Sequence, residues 1–492
     1  MKTMLLPVLK KFLLVSIPGC VVLFSFLTAP QPVFIIPMLA LLLLWTISYS
    51  LQGIYQAADI PVLFLLLGTF ALGRAFSLIG VNVGNLPLYV TEMCLAASLA
   101  LLLLKGKVLW AEWESPLPKG LAVVLAVYFL MGTLYLIIGV MGKAPLALRD
   151  IVFCHYMLFL FITLSLLTKP GKIKSLMSFF IPAVIIVFFI GLVSYFLSIG
   201  GSPFRQFIKE FKMTSLALSC GLMIMLGLSF FAFFNKKMKW VTGIVVYLAF
   251  LFLIMSEVRA AWLGLIAALI LLAILLKKEF KIIILIFLLL AASLFIIDHF
   301  QLAINKNKIA VLKEQVKSVG HQSFRSVAGA NIRWRLDIWK QTIDEILEHP
   351  VFGWGYGIQI DYLVWEKRLS LIRAMGGSTG ILPPHNHVLA VAYKMGLVGL
   401  ALFLFINFRI FFYGLCYLRK CKSQFNRRFL IAALAGLVYW HSMAFFFDIL
   451  ESPPTGIFLW VLLGCILGIV YVDRNLKTNH EVHEGHEELQ NV

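Results

Sequence analysis

The chain has 492 residues, of which 61% are hydrophobic and 13% charged, and its formal net charge is +19. Soluble domains carry roughly 45–50% apolar and ~25% charged residues, so this composition excludes an ordinary soluble protein. The positive charge does not indicate a nucleic-acid partner, because most lysines and arginines fall in alternate short loops between apolar runs. That distribution follows the positive-inside rule for cytoplasmic loops.

Apolar runs of about the length needed to cross a bilayer follow one another along the chain. They predict an all-α, polytopic transmembrane bundle of about 12–14 spans. An even number of spans places both termini in the cytoplasm. The fourteen runs are 12–28, 33–52, 61–79, 88–104, 120–140, 151–168, 176–199, 214–234, 240–256, 260–276, 282–298, 387–413, 429–450 and 456–472.

The runs divide the chain into four parts. An N-terminal transmembrane bundle covers residues 1–298, one large loop covers 299–384, further transmembrane helices cover 385–472, and a polar cytoplasmic tail, predicted to be disordered, covers 473–492. The number of spans places the loop on the outer face of the membrane. None of the seven cysteines lies in that loop, so we expect neither disulfides nor a metal site. Loops of this length usually carry function or are disordered.

Within the loop, Asn331 to Glu348 has the periodicity of an amphipathic helix that would lie on the bilayer surface. Arg333 lies on its polar side, four residues before Asp337, where a solvated ion pair accounts for it. Arg335 lies on the apolar stripe, where a charge is costly without an anionic partner. The predicted stripe comprises Arg335, Trp339, Ile343, Ile346 and Leu347. Arg335 is therefore the stronger candidate for an anion-binding residue.

The loop ends at Pro383-Pro384-His385-Asn386-His387, where an apolar run begins. If one continuous helix starts near Pro384, then His385, Gly396 and Gly399 share one line along it. That face would present an imidazole at the water boundary above a glycine-thinned strip that a helix or a lipid chain could approach. Asn386 falls in the first turn of this helix.

Other side chains of this helix point away from that line. Lys394 projects to the opposite face, and the sequence names no counter-charge for it. His387 also points elsewhere and is interpreted as an interfacial neighbour.

Three segments resemble the O-antigen ligase and polymerase family. The first is Ser256-Glu257-Val258-Arg259-Ala260-Ala261-Trp262-Leu263-Gly264, and the second is Arg335-Leu336-Asp337-Ile338-Trp339 followed by His349-Pro350-Val351-Phe352-Gly353-Trp354-Gly355. The third is His385-Asn386 followed by Gly396-Leu397-Val398-Gly399. The three motifs occur in the same order as in the family, and all are predicted to lie on the outer face of the membrane. This combination makes the resemblance specific. The similar region spans about 250–405.

The resemblance implies a GT-C-like bundle and a metal-independent, cofactor-free, inverting glycosyltransferase of the bacterial inner membrane. Such an enzyme takes a polyprenyl-diphosphate-linked glycan as donor. The acceptor is a lipid A-core sugar or another glycan, and the active site faces outward. Carried over to this sequence, His385 is the general base and Arg259 and Arg335 bind the diphosphate. Asn386, Trp339, Gly396 and Gly399 are supporting residues.

Several alternatives remain open at this stage. A polymerase that joins lipid-linked repeat units fits the same residues as a ligase, and a lipid-linked-glycan flippase or a non-catalytic assembly partner belongs to another class. Arg259 could be a snorkelling residue, and Trp262, Trp339 and Trp354 could be interface anchors. The weaker candidates are the polar residues in or near spans, Arg74, Glu92, Asp150, Asp448 and Glu451, with Arg149 and Arg205 in outer loops.

Overall fold

The computed structural model describes residues 65–66, 80–83, 86–104, 117–142, 145–167, 213–256, 258–277, 327–358, 360, 384–447, 449–450 and 453–490. The predicted runs 12–28, 33–52, 176–199 and 282–298, nearly all of 61–79, and much of the loop 299–384 lie outside these residues. Arg74, Arg205, Asp448 and Glu451 also lie outside them.

The regular secondary structure of the described residues is helical, apart from one short antiparallel hairpin. This predominance of helices confirms the all-α prediction. Strands β1 (Gly80–Val83) and β2 (Leu86–Tyr89) pair with Gly80 opposite Tyr89. The sequence did not predict these strands; β2 takes the first two residues of the apolar run 88–104, so the following helix begins at Val90.

The N-terminal helices are α1 (Val90–Leu104), α2 (Leu121–Met141) and α3 (Leu158–Leu167). Two 3₁₀ segments, Pro145–Phe153 and His155–Met157, precede α3, and the chain bends by 44° between Ala147–Phe153 and His155–Leu167. Gly132 of α2 leaves the room that this bend occupies, because a Cβ there would lie 2.4 Å from Cβ of Cys154. The glycine therefore permits close packing of α2 against the bent segment.

The middle helices are α4 (Met213–Phe230), α5 (Lys236–Met255) and α6 (Arg259–Leu275). The side chain of Asn235 caps α5 by accepting a hydrogen bond from the backbone N–H of Met238 at 3.0 Å, a favoured use of Asn at an N-cap. Three residues separate α5 from α6, and Trp262 Nε1 of α6 donates to the carbonyl of Leu253 at 3.3 Å. The end of α5 therefore lies beside the start of α6.

Helix α7 (Val327–Glu348) is amphipathic, but its predicted stripe is divided between two environments. Trp339 and Ile346 face the protein beside the fully buried Ile338, whereas Ile343 is 46% exposed and Leu347 69% exposed. The prediction of one stripe turned toward the bilayer is therefore wrong, because part of that stripe packs on the helix that follows the loop.

That helix, α8 (His387–Tyr417), is broken at Gly396, whose φ of 66° and ψ of −174° are not helical. The first part, which we call the half-helix (His387–Met395), folds back so that the ring of His387 lies 6.0 Å from the ring of Phe403. The prediction of one continuous helix with His385 and Gly396 on one line is wrong. A backbone with these angles is essentially restricted to glycine.

Helices α9 (Gln424–Ala444) and α10 (Pro453–Gln490) complete the described fold. The tail predicted to be disordered from Asp473 instead continues α10 to Gln490. The Asp473 carboxylate is buried and accepts hydrogen bonds from Tyr417 Oη at 3.1 Å, Asn426 Nδ2 at 3.0 Å and the backbone N–H of Ser423 at 3.3 Å. An aspartate that the sequence pattern assigned to a solvated tail thus fixes α10 to the turn between α8 and α9.

Contacts along α4 and α9 show that these helices are antiparallel. A Cβ at Gly221 would meet the ring of Tyr439, and at the other end Arg428 Nη1 donates to the carbonyl of Ser229 at 3.4 Å. Helix α6 packs along α9, with Gly264 beside the carbonyl of Tyr439. Helix α5 runs back along α4, from the C-terminal end of α4 to its N-terminal end. Helix α6 therefore starts at the end of the bundle where α9 finishes.

The opposite end of the bundle carries the turns 231–235 and 418–423, where the rings of Phe230 and Phe425 lie 5.2 Å apart. Basic residues surround these turns: Lys236, Lys237, Lys239, Arg419, Lys420, Lys422, Arg427 and Arg428. Four described helices are long and apolar enough to cross a bilayer, and the bent segment 147–167 would make a fifth. The protein is thus a polytopic helical membrane protein with one strongly basic end.

Candidate active site

The chain leaves the large loop through a sharply turned junction at Pro384, His385 and Asn386. His385 has φ of 52°, the only positive φ outside glycine among the described residues. Asn386 is the N-cap of the half-helix: its Oδ1 accepts hydrogen bonds from the backbone N–H of Val388 at 2.9 Å and of Leu389 at 3.2 Å. Asn386 therefore precedes the first turn rather than lying in it, and the cap fixes the point at which His385 leaves the helix.

Arg335 and His385, predicted from separate motifs, lie against the same aromatic ring. The guanidinium carbon of Arg335 is 5.6 Å from the ring centroid of Phe447, and the imidazole of His385 makes an edge contact with that ring at 5.7 Å. A cation within about 6 Å of an aromatic face is attracted by its quadrupole. Phe447, which follows α9, thus contacts both a permanent positive charge and an imidazole.

Trp339 connects α7 to this junction. Its indole Nε1 donates to the carbonyl of Pro384 at 2.9 Å, and its ring packs on Phe445 at 5.9 Å and Phe446 at 6.3 Å. Trp339 lies one turn after Arg335 on α7, so one helix face carries both the charge and the residue that holds the backbone before His385. These protein contacts assign Trp339 a role beyond that of a membrane anchor.

The glycines of the two outer motifs contact each other. A Cβ at Gly396 would lie 2.2 Å from the carbonyl oxygen of Val351, and a Cβ at Gly353 would lie 2.5 Å from the backbone nitrogen of Gly396. Backbone hydrogen bonds join the same segments, from Trp354 N to the Tyr393 carbonyl at 2.9 Å and from Leu397 N to the Pro350 carbonyl at 2.8 Å. The turn after α7 therefore fills the break in α8.

This contact changes the interpretation of the predicted glycine strip. Gly396 receives the turn 350–357, which leaves no open groove at that position. A Cβ at Gly399 would lie 2.2 Å from Cβ of Met395, so this glycine allows the chain to fold tightly after the break. Both glycines shape the backbone of α8 at and after the break.

Lys394, for which the sequence named no counter-charge, pairs with Asp150 at 2.8 Å. Lys394 Nζ also donates to the carbonyl of Ile358, and the Asp150 carboxylate accepts from the backbone N–H of Gly357 at 2.8 Å. Both side chains are largely buried, at 12% and 13% exposure. This ion pair fastens the half-helix and the turn after α7 to the N-terminal helices.

Arg259 is the first residue of α6 and is half-buried. The order of α4, α5, α6 and α9 places it at the end of the bundle where α9 finishes, which is also the end that carries Phe447. The structure thus brings Arg335 and His385 into contact with one ring and places Arg259 at the same end. Their chemical roles remain predictions.

The sequence did not predict a role for two groups of residues at this end of the bundle. Phe445, Phe446 and Phe447 contact the site residues through their rings, and their only sequence signal is an aromatic run at the end of a predicted span. His441 and Asn407 join His387 in a buried polar cluster inside the bundle. His387 is accordingly only 4% exposed, so its interpretation as an interfacial neighbour is wrong.

Glu345 of α7 contacts the turn that follows this helix. Partial desolvation raises the pKa of its carboxyl group, and the neighbouring Glu348 carboxylate raises it further. Its backbone carbonyl accepts a hydrogen bond from Trp354 Nε1 at 3.0 Å. Trp354 also stacks on Tyr393 of the half-helix at 6.2 Å, so its contacts are with protein groups.

Comparison with known proteins agrees with the resemblance carried by the three motifs. Residues 244–404 match the family model described as O-antigen ligase. No curated protein matches the chain. The matched range contains Arg259, Arg335 and His385, whereas Phe447 and His441 lie beyond it. Residues 244–404 are therefore an O-antigen ligase family domain within a polytopic helical membrane protein.

Proposed function

We propose that this protein transfers a glycan from a polyprenyl-diphosphate carrier to a hydroxyl of an acceptor sugar, on the outer face of the bacterial cytoplasmic membrane. The observation that supports this best is the placement of Arg335 and His385 against Phe447. They lie at the end of the bundle opposite the basic turns, and the positive-inside rule favours a cytoplasmic position for those turns.

The proposed reaction is a single displacement. The acceptor oxygen attacks the anomeric carbon, and the bond from that carbon to the diphosphate oxygen breaks with its electron pair going to the diphosphate. The hydroxyl proton passes to the His385 imidazole. Attack from the face opposite the leaving group inverts the anomeric centre.

Arg335 and Arg259 would hold the diphosphate and offset the negative charge that grows on it during bond breaking. A guanidinium binds phosphate oxygens in a bidentate manner and stays charged at all relevant pH values. The diphosphate is a good leaving group, so the proposal requires no general acid.

The backbone of His385 also supports a functional role. A positive φ is uncommon for any residue other than glycine, and strained conformations of this kind cluster at active sites. The Asn386 cap and the bond from Trp339 to Pro384 hold the chain on both sides of His385. An imidazole held in this way can meet an incoming hydroxyl with little loss of side-chain freedom.

Reconstitution tests the proposal directly. The purified protein in lipid vesicles is given a polyprenyl-diphosphate glycan and a lipid A-core acceptor, without nucleotide, and transfer with inversion is expected. Growth of the donor glycan without use of the acceptor would indicate a polymerase. Movement of the intact donor across the bilayer without new glycosidic bonds would indicate a flippase and overturn the proposal.

The Arg335→Lys variant should transfer glycan about 10- to 100-fold more slowly than the wild type. Lysine keeps the charge but loses the planar fork that binds two phosphate oxygens, a loss of about 1.4–2.8 kcal/mol in transition-state stabilisation. Initial rates in the reconstituted system measure the effect. Arg333→Lys, two residues earlier on the same helix, is the matched control and should stay within about threefold of the wild type. Equal rates for the two variants would remove Arg335 from the diphosphate site.

The Trp339→Phe variant should lower the rate by about fivefold. Phenylalanine keeps an aromatic ring against Phe445 and Phe446 but loses the hydrogen bond to the carbonyl of Pro384. One such bond is worth about 1 kcal/mol. Trp354→Phe, which removes the comparable bond to the Glu345 carbonyl, is the control and should leave the rate closer to wild type. A larger effect in the control would contradict the assigned role.

A further inference from the structure

Three polar side chains form a hydrogen-bonded row inside the bundle, between the two parts of α8. His387 Nε2 lies 3.3 Å from His441 Nδ1, and His441 Nε2 lies 3.1 Å from Asn407 Oδ1. His387 and Asn407 are each 4% exposed. The rings of Phe403 and Trp440 surround His387 at 6.0 Å and 5.7 Å. We call His387, His441 and Asn407 the buried triad.

The direction of the hydrogen bonds in the triad follows from one contact. Asn407 Nδ2 donates to the carbonyl of Phe403 at 2.7 Å, so the amide oxygen of Asn407 faces His441. His441 therefore donates from Nε2, and as a neutral imidazole it accepts at Nδ1. His387 must then donate from Nε2. The two contacts thus link the three side chains in one row, with His387 Nδ1 buried behind it.

Buried polar groups in an apolar bundle are costly unless they satisfy one another, and in membrane proteins such groups usually serve function. Here their position indicates the function. His387 is the first residue of the half-helix, Asn407 belongs to the second part of α8, and His441 belongs to α9. The triad thus connects the N-terminal end of the half-helix to two long helices.

This connection lies close to the candidate base along the chain. His385 is two residues before His387, and the Asn386 cap between them ties the junction to the first turn of the half-helix. The Gly396 break holds the other end of the half-helix. Displacement of His387 would therefore rotate the half-helix about the break and carry His385 away from Phe447 and Arg335.

We propose that His387, His441 and Asn407 are positioning residues that set the place of the His385 imidazole through the half-helix. The inference rests on the proposed glycan transfer. The triad sets the fraction of molecules in which His385 can reach the acceptor hydroxyl, so it governs kcat. Binding of the diphosphate by the arginines, which lie on α6 and α7, does not depend on it.

The decisive variant replaces all three residues by leucine. His441→Leu alone leaves two buried partners unsatisfied and should lower stability, whereas replacing every member of a buried polar group by apolar residues can be nearly neutral. The triple variant should therefore keep a melting temperature within about 3 °C of the wild type. Its kcat should fall at least about tenfold with the donor KM changed by less than about threefold.

A second variant tests rescue. His441→Gln can accept from His387 and donate to Asn407, so its kcat should stay within about threefold of the wild type. Tyr439→Phe is the matched control, since it removes a buried hydrogen bond of α9 to the carbonyl of Ala217, away from the half-helix. That control should lose stability while its kcat is retained. A triple variant with wild-type kcat, or a His441→Gln variant as slow as His441→Leu, would overturn the inference.

Amide hydrogen exchange separates this inference from the proposed function. Exchange of the amides of 388–395 should be at least about tenfold faster in the triple variant than in the wild type, because the half-helix opens locally. Unchanged exchange would overturn the positioning role even if transfer is lost. If the wild type itself makes no product, the proposed function fails, and the exchange measurement still decides whether the triad holds the half-helix.

Discussion

The His385→Ala protein is expected to transfer glycan about 10²- to 10⁴-fold more slowly than the wild type, the range that a general base typically contributes. The arginines and Phe447 remain in place, so the donor should still bind. Initial rates in lipid vesicles measure the loss, and the amount of monodisperse protein after purification shows that the fold is retained.

Alanine at this position could also act through the backbone, because His385 has a positive φ. His385→Asn removes that ambiguity, since asparagine tolerates the left-handed region and cannot act as a base near neutral pH. Both variants should lose transfer to a similar extent. His483→Ala, in the C-terminal part of α10, is the histidine control and should behave as the wild type. Near-normal transfer by His385→Asn would remove His385 from the chemistry.

The Gly396→Ala variant should be the most damaging substitution outside the chemical groups. Alanine disfavours the φ of 66°, and its Cβ would lie 2.2 Å from the carbonyl oxygen and 2.4 Å from the carbonyl carbon of Val351. Backbone atoms cannot move aside as a side chain can. The strain and the clash together should therefore lower the free energy of unfolding by a value on the order of 4 kcal/mol. Thermal unfolding in detergent and the yield of folded protein measure the loss.

Gly120→Ala separates the clash from the strain. Gly120 also has a positive φ, 78°, but a Cβ there would meet no atom within 4 Å. This control should cost only about 1–2 kcal/mol. Gly353→Ala, whose Cβ would lie 2.5 Å from the backbone nitrogen of Gly396, should resemble Gly396→Ala. If Gly396→Ala is no worse than Gly120→Ala, the turn does not fill the break as described.

Hydrophobic runs predicted most of the described helices, because a span needs a fixed length of apolar sequence. They could not predict the break in α8. The apolar pattern continues through Gly396 and Gly399 without a polar residue between them, so nothing in the pattern marks the change of direction. Its cause is the turn at 350–357, some forty residues earlier, and contacts of that range are not encoded in local periodicity.

The candidate site likewise contains some residues that the sequence could predict and others that it could not. Arg335 and His385 could be predicted because a charge on an apolar stripe and an imidazole at a helix start are locally unusual, and their motifs resemble a known family. Phe447 and the buried triad could not. An aromatic residue in a span is ordinary. The contacts of His441 are with His387 and Asn407, which come from other parts of the chain, so its role could not be predicted from the residues around it in the sequence.

The described residues on either side of 361–383 are hydrogen-bonded to side chains of helices. The carbonyl of Ile358 accepts a hydrogen bond from Lys394, and that of Pro384 accepts one from Trp339, so both stems of this segment are fixed to helices. A segment with clamped ends can change length or composition without disturbing His385.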